Sequence, residues 1–164
     1  MFAFVLKFLL ILTLMIGMCE SALAGWSRKE INIEKTVVQF ARDIQEGGYK
    51  VVRSDELKKW LDNNKKLLLV NTMRHSSAVI PGSIIFDFPA KKLEVMKKQD
   101  LSAFLNLLGK NKDRTIVFYC GFTKCLRSHN GAMWAVKLGY SDVYRCPGGL
   151  TAWSERDYPL EAVK

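Results

Sequence analysis

Two short, uninterrupted apolar runs, Leu67 to Val70 and Ile116 to Tyr119, do most to limit what this chain can become. A strand with one solvated face alternates apolar and polar residues, whereas a strand that is apolar throughout has to be covered on both faces, as in parallel sheets with helices above and below. Segments with helical spacing separate the runs. Asn32 to Glu46 carries Val37, Val38, Phe40, Ala41 and Ile44 and stops at Gly47-Gly48; Ser54 opens a helix with Leu57, Trp60 and Leu61. Asp100 to Leu108 closes at Gly109, and Ser128 to Leu138 closes at Gly139. Further strands are expected at Tyr49 to Val52, at Ser83 to Phe88 after the Pro81-Gly82 turn, and at Asp142 to Arg145, with a last short helix holding Trp153 after Gly148-Gly149. This alternation predicts an α/β fold with a central, mostly parallel sheet flanked by helices, and a ligand site beyond the carboxyl ends of the strands.

Cys120 stands at such an end. It follows Ile116-Val117-Phe118-Tyr119 directly, and a loop carrying Lys124 and Arg127 leads from it into the next helix. A thiol so placed faces the open N–H groups and the positive dipole end of that helix, which favour thiolate over thiol. That arrangement suits a nucleophilic sulfur better than an inert one.

The first residues read as an export leader. Lys7 supplies a weak positive start, Phe8 to Met18 an apolar stretch shorter than a membrane span, and Ala22-Leu23-Ala24 the small-residue cleavage pattern. Met18 stands before Cys19 where lipid attachment asks for a small residue. Cleavage after Ala24 predicts an exported, periplasmic protein with no stable membrane insertion, and leaves about 140 residues, enough for one core. The leader holds one cation, Lys7, and one anion, Glu20, so the net charge of +9 is kept. The cations come mostly as helix-surface pairs such as Lys58-Lys59, Lys91-Lys92 and Lys97-Lys98, without interleaved aromatics, which argues against nucleic acid while favouring anionic small molecules. Three cysteines remain, Cys120, Cys125 and Cys146. An odd number in an exported chain does not make a purely structural disulfide framework, and their spacing is not that of a zinc site.

Phe118-Tyr119-Cys120, the Arg127-Ser128 at the start of the helix, Leu138-Gly139-Tyr140 with Val143-Tyr144, Gly148-Gly149-Leu150-Thr151-Ala152-Trp153 and Tyr158-Pro159-Leu160 together resemble the second half of a rhodanese domain. Leu67 to Val70 and Ile80-Pro81-Gly82-Ser83 are similar to that family's first-half strand and its Ile-Pro-Gly-Ala signature. The resemblance divides the chain into the leader at 1–24, an N-terminal helical extension at 25–48 and a rhodanese-like domain at 49–162. It implies a sulfurtransferase without cofactor or metal. A loop cysteine, here Cys120, would take a sulfane sulfur from a small anionic donor, hold it as a persulfide and pass it to a thiol or protein acceptor. Gly121, Phe122, Thr123, Lys124, Leu126, Arg127 and Ser128 would form the substrate loop, and Arg74, beyond the Leu67 to Val70 strand, is a further candidate for the anion. No feature sets an oligomeric state.

The chain also departs from the family. Its run from Cys120 to Arg127 is longer than the usual loop and holds Cys125; it is also too long for the phosphate loop of the dual-specificity phosphatases that share the fold. Three roles are open to Cys125: resolving the Cys120 persulfide as a disulfide, acting as the nucleophile itself, or packing. The competing reading of the whole chain is a thiol–disulfide redox or sulfur-binding module using Cys120 and Cys125. Asn71 and Val79 stand where the family often has Asp and His, so the loop is expected to be braced differently. His129 reads as a surface residue in the first turn of its helix, His75 as a loop residue, Cys146 as core, and Trp26, Trp60, Trp134 and Trp153 as core or lid.

Overall fold

The two continuous apolar runs become neighbouring strands at the middle of a five-stranded sheet. The computed structural model describes residues 28–163; the leader lies outside the described residues. In chain order the elements are α1 (28–47), β1 (Lys50–Val51), α2 (Ser54–Asp62), β2 (Leu68–Asn71), β3 (Ala78–Val79), β4 (Ile84–Ile85), α3 (Lys98–Leu108), β5 (Ile116–Tyr119), α4 (Leu126–Lys137), β6 (Val143–Cys146), α5 (Gly149–Ser154) and β7 (Glu161–Ala162). The sheet order is β1-β6-β5-β2-β4, and every pairing in it is parallel. β3 and β7 form a separate antiparallel pair that the sequence did not announce, each being only two residues long.

Alternation along the strands sorts the core into two layers. Leu68, Val70, Ile116, Phe118 and Val143 pack with Phe104 and Leu108 of α3 and Ala132 and Ala135 of α4, while Leu69, Val117, Tyr119 and Cys146 pack with Leu57 of α2 and Trp153 of α5. Both faces are therefore covered, which is why the runs Leu68 to Val70 and Ile116 to Phe118 can be apolar throughout. Arg145 lies between Tyr144 and Cys146, so it has the parity of Val143 and projects into the layer under α4.

Boundaries moved where local chemistry overrode the pattern. α1 is already helical at residue 28, the first described residue, so Asn32 does not cap it; the Asn32 carbonyl instead accepts from Thr36 Oγ1 inside the helix. Of its expected stripe, Ile44 packs on the core, while Val37 and Val38 are exposed. The compact unit that holds the sheet begins at Phe40 and so takes in the last part of α1. The strand expected over Ser83 to Phe88 keeps only Ile84–Ile85, although Phe86 and Phe88 still donate to the Asn71 and Thr72 carbonyls at 2.9 and 3.4 Å. α4 begins at Leu126 rather than Ser128, with Cys125 as its N-cap.

The Ile80-Pro81-Gly82-Ser83 turn is tied to the centre of the sheet by Tyr119. The Ile80 N–H donates to its phenolic oxygen at 3.0 Å, and Ser83 Oγ lies 2.8 Å from the same atom. Burial pushes that phenol up to about 12, so it stays neutral.

Candidate active site

Between the end of β5 and the start of α4 the chain has only Cys120 to Cys125 in which to turn. The Cys125 N–H closes that turn on the Phe122 carbonyl at 3.1 Å. From the other side, α5 presents its first N–H groups: Leu150 donates to the Cys120 carbonyl and Thr151 to the Gly121 carbonyl, both at 2.9 Å. Gly149 makes this approach possible. Its φ is +54°, and a Cβ there would run into the Cys120 carbonyl oxygen and stand 2.9 Å from the Gly121 carbonyl carbon. Gly149→Ala is expected to cost about 1–3 kcal/mol of stability from backbone strain alone, read by urea unfolding, and to slow chemistry at Cys120 beyond that. Unchanged stability would mean that the approach relaxes freely.

The Cys120 sulfur lies beneath this loop with no solvent exposure. Ser128 Oγ is 3.3 Å away, and the Cys125 and Phe122 carbonyl oxygens are at 3.5 and 3.6 Å. Arg145 Nε donates to Ser128 Oγ at 3.1 Å, and the hydroxyl keeps a proton that it can donate to a thiolate at Cys120. The guanidinium also holds the Thr123 and Cys125 carbonyls through Nη2, at 2.8 and 3.1 Å. It thereby absorbs part of the negative potential that those oxygens would direct at a thiolate.

The thiol is accordingly easier to ionise than usual. Its pKa falls to about 6, chiefly because the Cys125 thiol donates to it, against the opposing effect of burial, with further help from the Ser128 hydroxyl and the N–H groups of Phe122 and Ser128. Cys125 is driven the other way, since its hydrogen bond to Cys120 and its own burial favour the protonated form. Of the two thiols, Cys120 is the one favoured to carry the charge. Cys146, also fully buried, is pushed up to about 11 by burial and behaves as a core residue, as expected.

Arg145 and Asp43 are the residues that the sequence reading missed. Their side chains are 0% and 7% exposed, and Arg145 Nη1 meets Asp43 Oδ2 at 3.1 Å. The same Nη1 donates to Tyr49 Oη at 3.1 Å, and Tyr49 Oη lies 3.0 Å from His129 Nδ1. His129 is buried, not on the surface, and its burial lowers its pKa, which favours the neutral ring. An arginine inside a strand otherwise apolar at Val143 and Cys146 was the one available signal.

The expected cationic pocket is not built as read. Arg127 turns away from the thiol: its Nη1 pairs with Asp87 Oδ1 at 2.7 Å and also donates to the Phe88 carbonyl. Arg74, expected to bind the donor anion, is exposed and pairs with the other oxygen of Asp87 at 3.0 Å. Both belong to the wall of an open cavity of about 1080 Å³ with Met73, Phe88, Met96 and Lys97, and Cys120 is not part of that wall. One acidic residue neutralises both cations because β4 runs on into Asp87 next to α4. Lys124 and Phe122 are exposed on the outer side of the loop, and Leu126 is half-buried in the first turn of α4. Ser128 supports the sulfur from below. Asn71, buried at the end of β2, accepts the Met73 N–H through Oδ1 at 3.0 Å and leaves its Nδ2 without a partner.

A family model described as the Rhodanese-like domain matches residues 53–156. No curated protein matches the chain in sequence. Among solved structures, the thiosulfate sulfurtransferase from Pseudomonas aeruginosa is similar with a TM-score of 0.59 at 15% identity; the alignment covers 79% of this chain, which spans 23% of that enzyme. A polysulfide-sulfur transferase homodimer from Wolinella succinogenes is similar at TM-score 0.55 and 12% identity, over 76% of this chain and 85% of that one. A rhodanese-related protein from Thermoplasma volcanium gives 0.50 and 16%, over 69% and 98%. At these identities the likeness is one of fold.

Proposed function

This chain belongs to the rhodanese-like domain family, and from that premise we propose that it is a sulfurtransferase whose carrier is Cys120. The observation that carries the reading is the relay from Arg145 through Ser128 to a thiol at the carboxyl end of β5, which favours a thiolate where a parallel sheet places its ligands. The Cys120 thiolate attacks the outer sulfur of thiosulfate or of a polysulfide. A sulfur–sulfur bond forms on Cys120 as the donor's own breaks, and sulfite or the shortened polysulfide leaves with the bonding pair. An acceptor thiolate or cyanide then takes the outer sulfur and returns Cys120 as thiolate. Since the thiol is covered, the donor enters as the outer part of the loop, Phe122 to Lys124, moves aside. The leader read at residues 1–24 would put this chemistry outside the cytoplasm.

The test is an intact mass after treatment with thiosulfate and, separately, polysulfide. A gain of one sulfur, mapped to the peptide holding Cys120, is expected; no gain from either donor overturns the reading. The lowered pKa adds a pH signature. The rate of sulfur uptake should be flat from neutral pH upward and fall about tenfold per unit below about 6, because only the thiolate attacks. A rate still climbing through the alkaline range would indicate an ordinary thiol.

A further inference from the structure

Sulfur transfer uses one thiol, and this loop holds two. Cys125 is the N-cap of α4, and its carbonyl lies 3.5 Å from Cys120 Sγ across the turn that its own N–H closes. The Cys125 residue therefore lies beside the Cys120 sulfur. Their exposures differ: Cys120 is sealed under the loop, whereas Cys125 is half-buried and borders solvent. A persulfide on Cys120 would thus form beside a second cysteine before any acceptor from solution reaches it.

Building on the sulfurtransferase reading, we propose that Cys125 resolves the Cys120 persulfide, so that the protein reduces the sulfane sulfur of its donor to hydrosulfide. In this step Cys125 Sγ attacks the inner sulfur, Cys120 Sγ, and a Cys120–Cys125 bond forms as the bond to the outer sulfur breaks. The outer sulfur leaves with the electron pair and takes the Cys125 proton, departing as hydrosulfide. The two cysteines together lose two electrons and the sulfane sulfur gains them. Summed with uptake, one dithiol protein and one thiosulfate give one disulfide protein, sulfite, hydrosulfide and a proton. An external dithiol reopens the disulfide for the next turnover. Attack on the inner sulfur is favoured over attack on the outer one because Cys125 lies beside Cys120 Sγ, its carbonyl 3.5 Å away, and the outer sulfur carries the negative charge.

The experiment uses full-length protein, reduced and freed of reductant, with excess thiosulfate. Wild type should release about one hydrosulfide per chain and lose both thiols, with a non-reduced peptide map linking Cys120 to Cys125. Cys125→Ser and Cys125→Ala should accumulate the persulfide and release at least about tenfold less hydrosulfide. Wild type that keeps a persulfide while Cys125 remains open to alkylation overturns the inference, as do variants that release as much hydrosulfide as wild type. Those two outcomes leave the transfer reading standing. Failure of wild type and both variants to take up any sulfur overturns that reading as well.

Discussion

Cys120→Ser is expected to give a folded protein that takes up no sulfur from thiosulfate or polysulfide. The loss should be complete, because a serine hydroxyl is not ionised near neutral pH and has no comparable affinity for sulfane sulfur. Stability should change by less than about 1 kcal/mol, since oxygen fits the space left by sulfur and Ser128 still offers it a hydrogen bond. The pairing of lost uptake with a normal melt is the readout. Full uptake by this variant, with none by Cys125→Ser, would move the carrier to Cys125.

Arg145→Met is expected to be the most destabilising single substitution in the site. The side chain fills a similar volume, but Asp43 is left as a buried carboxylate without its ion pair, Tyr49 and Ser128 each lose a donor, and the Thr123 and Cys125 carbonyls lose theirs. Removing one partner of a buried pair costs about 3–5 kcal/mol. The double variant Arg145→Met with Asp43→Leu separates the two consequences. Stability should largely return, since no charge remains unpaired, whereas the Cys120 thiolate should not, and alkylation of Cys120 below neutral pH should stay slow. Recovery of both would show that Arg145 acts on the fold alone.

What could be read beforehand follows from how local the information is. The strands β2 and β5, the turn at Gly148-Gly149 and the position of Cys120 were legible because each is written in adjacent residues: an apolar run, a glycine pair, a thiol at a strand end. Arg145 was assigned to its strand, but its role was hidden, because Asp43 lies 102 residues away and looked like one more polar residue of an amphipathic helix. His129 was misplaced for the same reason, its partner Tyr49 being 80 residues distant. Arg127 and Arg74 were read as donor-binding because they are cations near the right end of the sheet; nothing in their neighbourhood in sequence announced that Asp87 would satisfy both.

One stretch of α4 ties together parts of the molecule that a parts list would keep separate. Within its first turns and cap, the Cys125 carbonyl faces the thiol, Arg127 grips Asp87 at the cavity wall, Ser128 supports the sulfur, and Asn130 holds three backbone groups of the loop at Pro89, Lys91 and Leu93 at 2.8 to 3.0 Å. These attachments act like the linkage of a lever. A displacement of that helix end by a fraction of an ångström is transmitted at once to the sulfur and to the cavity. A probe fixed on the Pro89 to Leu93 loop would therefore serve as a remote gauge of what happens at Cys120, and libraries that vary 125–130 should show strong epistasis, with few tolerated changes that are neutral on their own.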